Sequence, residues 1–190
     1  MRTIVVTALV LFVLTSLAAA QIPTSGNVFF GYSYYSSDLS TSNRTNMNGW
    51  EASVEGKFLP FIGLAADFDT HYGSQNFVVG NPPLACPVLI PHCTTTLNAN
   101  FSENNYLFGP RVSVSVGKIR PFAEALFGAA HAHVNGGESD TSFATAVGGG
   151  LDYKILRILA WRIQGDYVRT SLFSSHQNNV RISTGIVVRF

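Results

Sequence analysis

The feature that most limits this chain's fold is a two-residue alternation that returns in segment after segment. In Asn179–Phe190 one face carries Val180, Ile182, Thr184, Ile186, Val188 and Phe190, and the other carries Asn179, Arg181, Ser183, Gly185, Val187 and Arg189. A period of two sends successive side chains to opposite sides of an extended strand. The same pattern runs through residues 159–168, 143–153, 106–116 and 50–58, and less cleanly through 27–36, 61–71 and 120–131. Eight strands are predicted, each about long enough to cross a bilayer at a tilt.

The connections alternate as well. Leu59-Pro60, Gly117 to Ile119 and Lys154 to Arg157 are tight turns, whereas the other connections are longer and polar, residues 72–105 being the longest. Long loops at one end and short turns at the other is the outer-membrane arrangement. The predicted fold is all-β, an eight-stranded antiparallel up-and-down transmembrane β-barrel. In hydrocarbon an open sheet edge is excluded, because each backbone N–H and C=O needs a partner.

The first twenty residues read as a separate segment. Arg2 is followed by an apolar run from Ile4 to Leu14, then by Ala18, Ala19 and Ala20. A basic start, a short apolar stretch and an A-x-A site form a secretory signal. Residues 1–20 are therefore expected to be a signal peptide cleaved after Ala20, and residues 21–190 the barrel domain. Beyond residue 20 no run approaches the ~18 apolar residues of a spanning helix.

Composition removes other classes. Charged residues make up 12% of the chain, against roughly 25% in soluble domains, and 46% of residues are hydrophobic. Such a chain is not disordered. A net charge of +1 gives no basic patch for nucleic acid. Losing Arg2 from the 12 Lys+Arg leaves 11 basic against 11 acidic side chains.

Two eight-stranded barrels fit the alternation with opposite sense: a soluble lipocalin-like binder with its apolar face inward, and a membrane barrel with that face toward lipid. Charge chemistry favours the second. One face holds Glu51, Glu55, Lys57, Asp67, Asp69, Arg111, Glu124, Asp152, Arg162, Asp166, Arg181 and Arg189, interleaved with Gly, Ala and Ser. Small residues leave room for long charged ones in a narrow interior, and Arg pairs carboxylates bidentately. The opposite face carries Trp50, Tyr106, Phe143 and Tyr167 near the loop ends and Phe58, Tyr153, Trp161 and Phe190 near the turn ends. Two aromatic rings of this kind match interfacial girdles. The lumen is expected to be an Arg–carboxylate network and not an open pore.

With its signal segment, its repeated two-faced strands and the chain end Ile182-Ser-Thr-Gly-Ile-Val-Val-Arg-Phe190, the sequence resembles the small outer-membrane β-barrel family, the OmpA-like transmembrane domain and its OmpX-type relatives. Arg120-Pro-Phe-Ala-Glu124 after a tight turn resembles the family's fifth strand. The resemblance covers roughly residues 26–190. It implies a bacterial outer membrane, with membrane lipids as neighbours. It also implies a barrel-assembly signal at Ile186, Val188 and Phe190, read by the assembly machinery. The chain ends with its last strand, so the peptidoglycan-binding domain of full OmpA proteins is expected to be absent.

Few residues suggest chemistry. Cys86 and Cys93 share the longest loop, and an even pair in an exported protein reads as a disulfide that stiffens the loop. Val88-Leu89-Ile90 between them is expected to pack locally. His131 and His133, with Asp69, His71 or Glu138, have metal-ligand chemistry, but nothing fixes a third ligand. The five His are read as polar rim residues. Ser174, Ser175 and His176 form a local cluster suited to a lipid-modifying enzyme, yet adjacency in a loop does not supply a carboxylate-held His. No cofactor motif is present. The expectation is a non-enzymatic barrel presenting extracellular loops, for envelope integrity, adhesion or interaction with a partner the sequence does not name. The alternatives are a lipid-modifying barrel enzyme and a secreted lipocalin-like binder.

Overall fold

A computed structural model describes residues 25–38, 44–80, 94–135, 139–172 and 176–190, with 75–80 and 94–99 described for the backbone alone. Residues 1–20, expected to be a signal peptide, and Cys86, Cys93, Val88–Ile90, Glu138, Ser174 and Ser175 lie outside the described residues. Eight strands follow one another: β1 (Gly26–Ser37), β2 (Thr45–Lys57), β3 (Ile62–Gly80), β4 (Thr94–Ser113), β5 (Ile119–Val134), β6 (Ser139–Lys154), β7 (Leu159–Thr170) and β8 (Gln177–Arg189). Each pairs antiparallel with the next, and β1 pairs with β8 to close the barrel. The seam is finished by Gly26 and Phe190, which exchange backbone hydrogen bonds of 2.9 and 3.1 Å. Closure leaves the sheet without a free edge, which a hydrocarbon surrounding demands.

The turns at one end are tight, as at Val116 and Ile119, whose backbones bond reciprocally around Gly117. Gly117 has φ of +63°, a conformation that costs a residue with a Cβ more than it costs glycine.

The other end departs from expectation. Residues 72–80 and 94–105, predicted within a loop, continue β3 and β4 as a paired ribbon. Above the bilayer neither face meets hydrocarbon, so the apolar alternation fades while strand-forming residues keep their pairing. Phe77 stands opposite Leu97, Val78 opposite Thr96 and Val79 opposite Thr95, all but Leu good β-formers. β4 also ends at Ser113 and not at Val116. Inside β4, Pro110 has no N–H to give. The β4–β5 ladder is interrupted between the pairs Phe108–Phe127 and Arg111–Glu124, while the β3 side is continuous.

The outer wall is apolar. Phe30, Val54, Leu64, Phe108, Val147, Ile163, Ile182 and Val188 are exposed there. In water this would be an aggregation surface; in a bilayer it is the lipid-facing band. The interior is filled by side chains, as eight strands require.

Candidate functional site

The lumen is built in tiers from inward-facing positions. Nearest the turns, Arg162 grips Asp152 with Nε–Oδ1 at 2.6 Å and Nη2–Oδ2 at 3.1 Å. Arg111 Nε donates to Glu124 Oε2 at 2.6 Å. Arg120 Nη2 donates to Glu55 Oε1 at 2.7 Å and to Ser113 Oγ at 2.8 Å, and Asn27 Nδ2 donates to Glu55 Oε2 at 2.7 Å. The Phe122 ring lies between two guanidinium groups, 4.8 Å from Arg111 and 4.5 Å from Arg162. These are cation–π distances.

The middle tier centres on Arg181. Its guanidinium meets Asp67 at 2.7 Å, Asp166 at 2.9 Å and Glu51 at 3.5 Å, and it contacts Asp69 as well. Gly148 makes space for this cluster, since a Cβ there would lie 2.1 Å from Asp166 Oδ1. Gln164 Nε2 donates to Glu51 at 2.7 Å and Asp166 at 3.0 Å. The outer tier is less charged. Tyr35 donates to Glu103 at 2.8 Å and accepts from Asn179 at 2.8 Å, while Asn105 donates to Asp69 at 2.8 Å.

Ten of the twelve residues expected on the charged face are buried inside this network. The other two sit at the turn-side mouth. Lys57, the last residue of β2, is half-buried with the inward parity of Glu51 and Glu55, and its ammonium reaches the carbonyl of Pro60 at 3.2 Å. Its flexible stem lets the ammonium reach water. Arg189 approaches Asp152 only at 3.5 Å and is partly exposed.

The lumen is not charge-balanced either. Among the described residues, buried acids are Glu51, Glu55, Asp67, Asp69, Glu103, Glu124, Asp152 and Asp166, against buried Arg111, Arg120, Arg162 and Arg181. Much of the basic complement, including Lys118, Lys154 and Arg157, stands exposed in the turns. Nor is the lumen polar throughout. Leu107, Leu126, Ala130, Ala144, Ala146 and Val168 form an apolar inner wall with Tyr35 and Met47.

Sequence reasoning missed Asn27, Ser33, Tyr35, Glu103, Asn105 and Arg120. Arg120 shares the parity of Glu124, and Glu103 and Asn105 that of Arg111, while Asn27, Ser33 and Tyr35 alternate with the outward Val28, Phe30 and Tyr32 of β1. Parity carried past the apolar stretch was the available signal.

The eight girdle residues all project from the outer wall, with relative exposures from 37% at Trp50 to 66% at Phe190. On the loop side, Phe30, Trp50, Phe68 and Tyr106 form a ring-to-ring chain across β1–β4 at centroid spacings of 5.8, 5.1 and 4.9 Å.

His71 is a correction. It is fully buried and not at the rim, because it shares the inward parity of Asp67 and Asp69. Its Nε2 lies 2.8 Å from Ser33 Oγ and its Nδ1 3.0 Å from Asp69 Oδ1. Ser, His and Asp in this sequence have the connectivity of a hydrolytic triad. Here Ser33 Oγ also accepts from Ser183, and all three residues are buried. No acyl group has access to that hydroxyl. His131 and His133 have the opposite parity and face outward, so Asp69 and His71 cannot join them through the barrel wall. His176 Nδ1 lies 2.8 Å from Ser171 Oγ at the exposed rim.

A closed eight-stranded barrel with an apolar exterior, aromatic rings at two levels and a packed charged interior defines an outer-membrane-type β-barrel. The family model for the outer membrane protein beta-barrel domain matches residues 5–190, and the chain belongs to that family, whose members lie in the bacterial outer membrane. Neisserial surface protein A is similar at 13% identity and TM-score 0.64, over 87% of this chain and 97% of that one. Ail, the attachment invasion locus protein of Yersinia pestis, is similar at 18% identity and TM-score 0.57, over 89% and 100%. OprG from Pseudomonas aeruginosa follows at 10% identity and TM-score 0.55, over 87% and 95%. No curated protein sequence matches the chain. At these identities the likeness is one of fold.

Proposed function

We propose that this chain is a non-enzymatic outer-membrane barrel. Its filled lumen serves as a rigid mount for the extracellular end, which supports envelope integrity, adhesion or interaction with other molecules. The observation that carries the reading is the combination of a packed interior with a long outer ribbon. β4 runs from Tyr106 at the upper aromatic level back to Thr94, roughly 40 Å along the strand at the usual rise. Residues 1–20 act as the export signal, cleaved after Ala20. The last strand, ending in Ile186, Val188 and Phe190, is read by the assembly machinery. The Cys86–Cys93 disulfide stiffens the far end of the ribbon.

The enzyme alternative has one favourable contact, Ser171 with His176, but among the described residues no carboxylate is shown orienting that His. Buried Ser33 has the full constellation without access. The test separates mount from ribbon. A chain in which residues 75–100 are replaced by a four-residue turn should still fold and enter the outer membrane. It should lose the binding or envelope phenotype that the parent restores to a deletion strain. Full complementation by the trimmed barrel would refute the reading.

A further inference from the structure

Two clefts lie one above the other on the outer wall of β2, β3 and β4. The upper cleft, of about 620 Å³, is lined by Asn46, Asn48, Tyr72, Ser74, Asn100 and Ser102, with Phe101, His133 and Asn135 completing it. Register explains the arrangement. Asn48 stands opposite Tyr72, Tyr72 opposite Ser102 and Ser102 opposite His133. One step further out, Ser74 stands opposite Asn100, whose carbonyl accepts the Asn135 N–H at 2.9 Å. Tyr32 donates its hydroxyl to Asn48 Oδ1 and so orients that amide.

The lower cleft, of about 500 Å³, lies among Val28, Ala52, Val54, Ala66, Phe68 and Phe108. It exists because Ala52 and Ala66 are small where their neighbours are large. Val54 stands opposite Ala66 and Ala66 opposite Phe108, while Ala52 stands opposite Phe68 and Phe68 opposite Tyr106. The aromatic chain of Phe30, Trp50, Phe68 and Tyr106 marks the level between the clefts. Tyr72 is four residues above Phe68, roughly 13 Å along the strand.

The two linings ask for different chemistry on one molecule. The upper lining is rich in amides and hydroxyls, carries no Lys, Arg, Asp or Glu, and includes the exposed ring of Tyr72, whereas Phe101 packs its ring on the lumen side. Amides both donate and accept, which suits the paired donor–acceptor hydroxyls of a sugar, and the Tyr72 ring suits a sugar's C–H face. A phosphate would instead call for Arg or Lys. The lower lining is apolar side chain at the depth of the lipid-facing band. We propose that these stacked clefts hold a glycolipid of the outer leaflet, with a neutral part of its saccharide in the upper cleft and one acyl chain in the lower. The inference rests on the reading that the ribbon end faces outward. An epitope tag inserted after Gly137 that is invisible on intact cells would overturn that reading, whereas failure of the glycolipid site leaves the tag visible.

Trp50 stands between the clefts and Trp161 on another part of the wall, so Trp161→Phe isolates a local reporter. This variant, refolded in detergent and checked by its mobility shift on boiling, is titrated with lipopolysaccharide, with the lipid-free saccharide prepared from it, and with phosphatidylglycerol. Lipopolysaccharide should change Trp50 emission saturably, the saccharide should bind at least tenfold more weakly, and phosphatidylglycerol should give no saturable change. Asn48→Ala with Tyr72→Ala, and separately Ala66→Phe, should each weaken lipopolysaccharide at least tenfold while retaining the boiling shift. Lipopolysaccharide copurified with the protein, counted by mass spectrometry, should fall in the same variants. Equal titration by phosphatidylglycerol, saccharide binding as tight as lipopolysaccharide, or variants that leave both readouts unchanged would overturn the proposal.

Discussion

Replacing Arg181 with Met removes the one guanidinium that meets Asp67, Asp69, Asp166 and Glu51. All five side chains are excluded from solvent. Methionine nearly fills the stem volume, so the dominant loss is electrostatic: four carboxylates face one another without their shared cation. Breaking a buried pair by removing one partner costs about 3–5 kcal/mol. Four orphaned acceptors place this variant at the upper end of that range. At 1.36 kcal/mol per factor of ten, the unfolding equilibrium should move by roughly two to nearly four powers of ten. The assay is reversible urea unfolding in lipid vesicles, read by tryptophan emission and by the folded band on unboiled gels. Arg157→Ala, in an exposed turn, provides the reference and should change stability by less than about 0.5 kcal/mol. Adding Asp67→Asn, Asp69→Asn and Asp166→Asn to Arg181→Met should recover more than half of the loss, because neutral amides tolerate burial without a cation. A single variant within about 1 kcal/mol of the parent, or a combined variant no more stable than the single one, would refute the reasoning.

Other outcomes follow from the same geometry. Arg162→Ala and Arg111→Ala should each cost about 3 kcal/mol or more in the same unfolding assay, whereas Arg44→Ala should fall between them and Arg157→Ala. Although exposed, Arg44 bonds Ser36 Oγ, the Ser36 carbonyl and the Asn178 carbonyl. Gly148→Val should abolish the folded gel band, since a side chain there meets Asp166 Oδ1 at 2.1 Å and the Gly165 carbonyl at 2.3 Å. Planar-bilayer recordings of the purified barrel should show no steady single-channel steps, and regular steps would contradict a filled lumen.

The transmembrane part of the barrel was legible because lipid and lumen impose opposite chemistry on alternate residues. Strands such as Leu159–Thr170 carry that contrast in every pair of positions. The ribbon above the bilayer was not legible, because beyond the lipid band the outward positions need not be apolar: Tyr72, Ser74 and Asn100 are exposed there, and the contrast vanishes. The same loss hid Glu103 and Asn105. Arg181 and Arg162 could be read as lumen residues from sequence, but their partners could not. Parity states which way a side chain points, while the match of Arg181 to Asp67 and Asp69 depends on how far strands shear across a closed circle. The apolar inner wall was overlooked for a different reason: Ala130, Ala144 and Ala146 look like spacers for charge until the lumen shows them packed on Leu107, Leu126 and Val168.

The seam between β1 and β8 joins the two strands most distant in the chain. Every other pairing links neighbours through a hairpin and forms with a short search. The last pairing waits for all of them, and contacts of such separation are the slow ones in folding. Until Gly26 meets Phe190, both terminal strands present unpaired backbone, a template for joining other chains. A half-assembled barrel is thus an adhesive object whose hazard ends in a single event. The time between export and that closure, and not the stability of the finished barrel, sets how much of this protein is lost to aggregation on its way to the membrane.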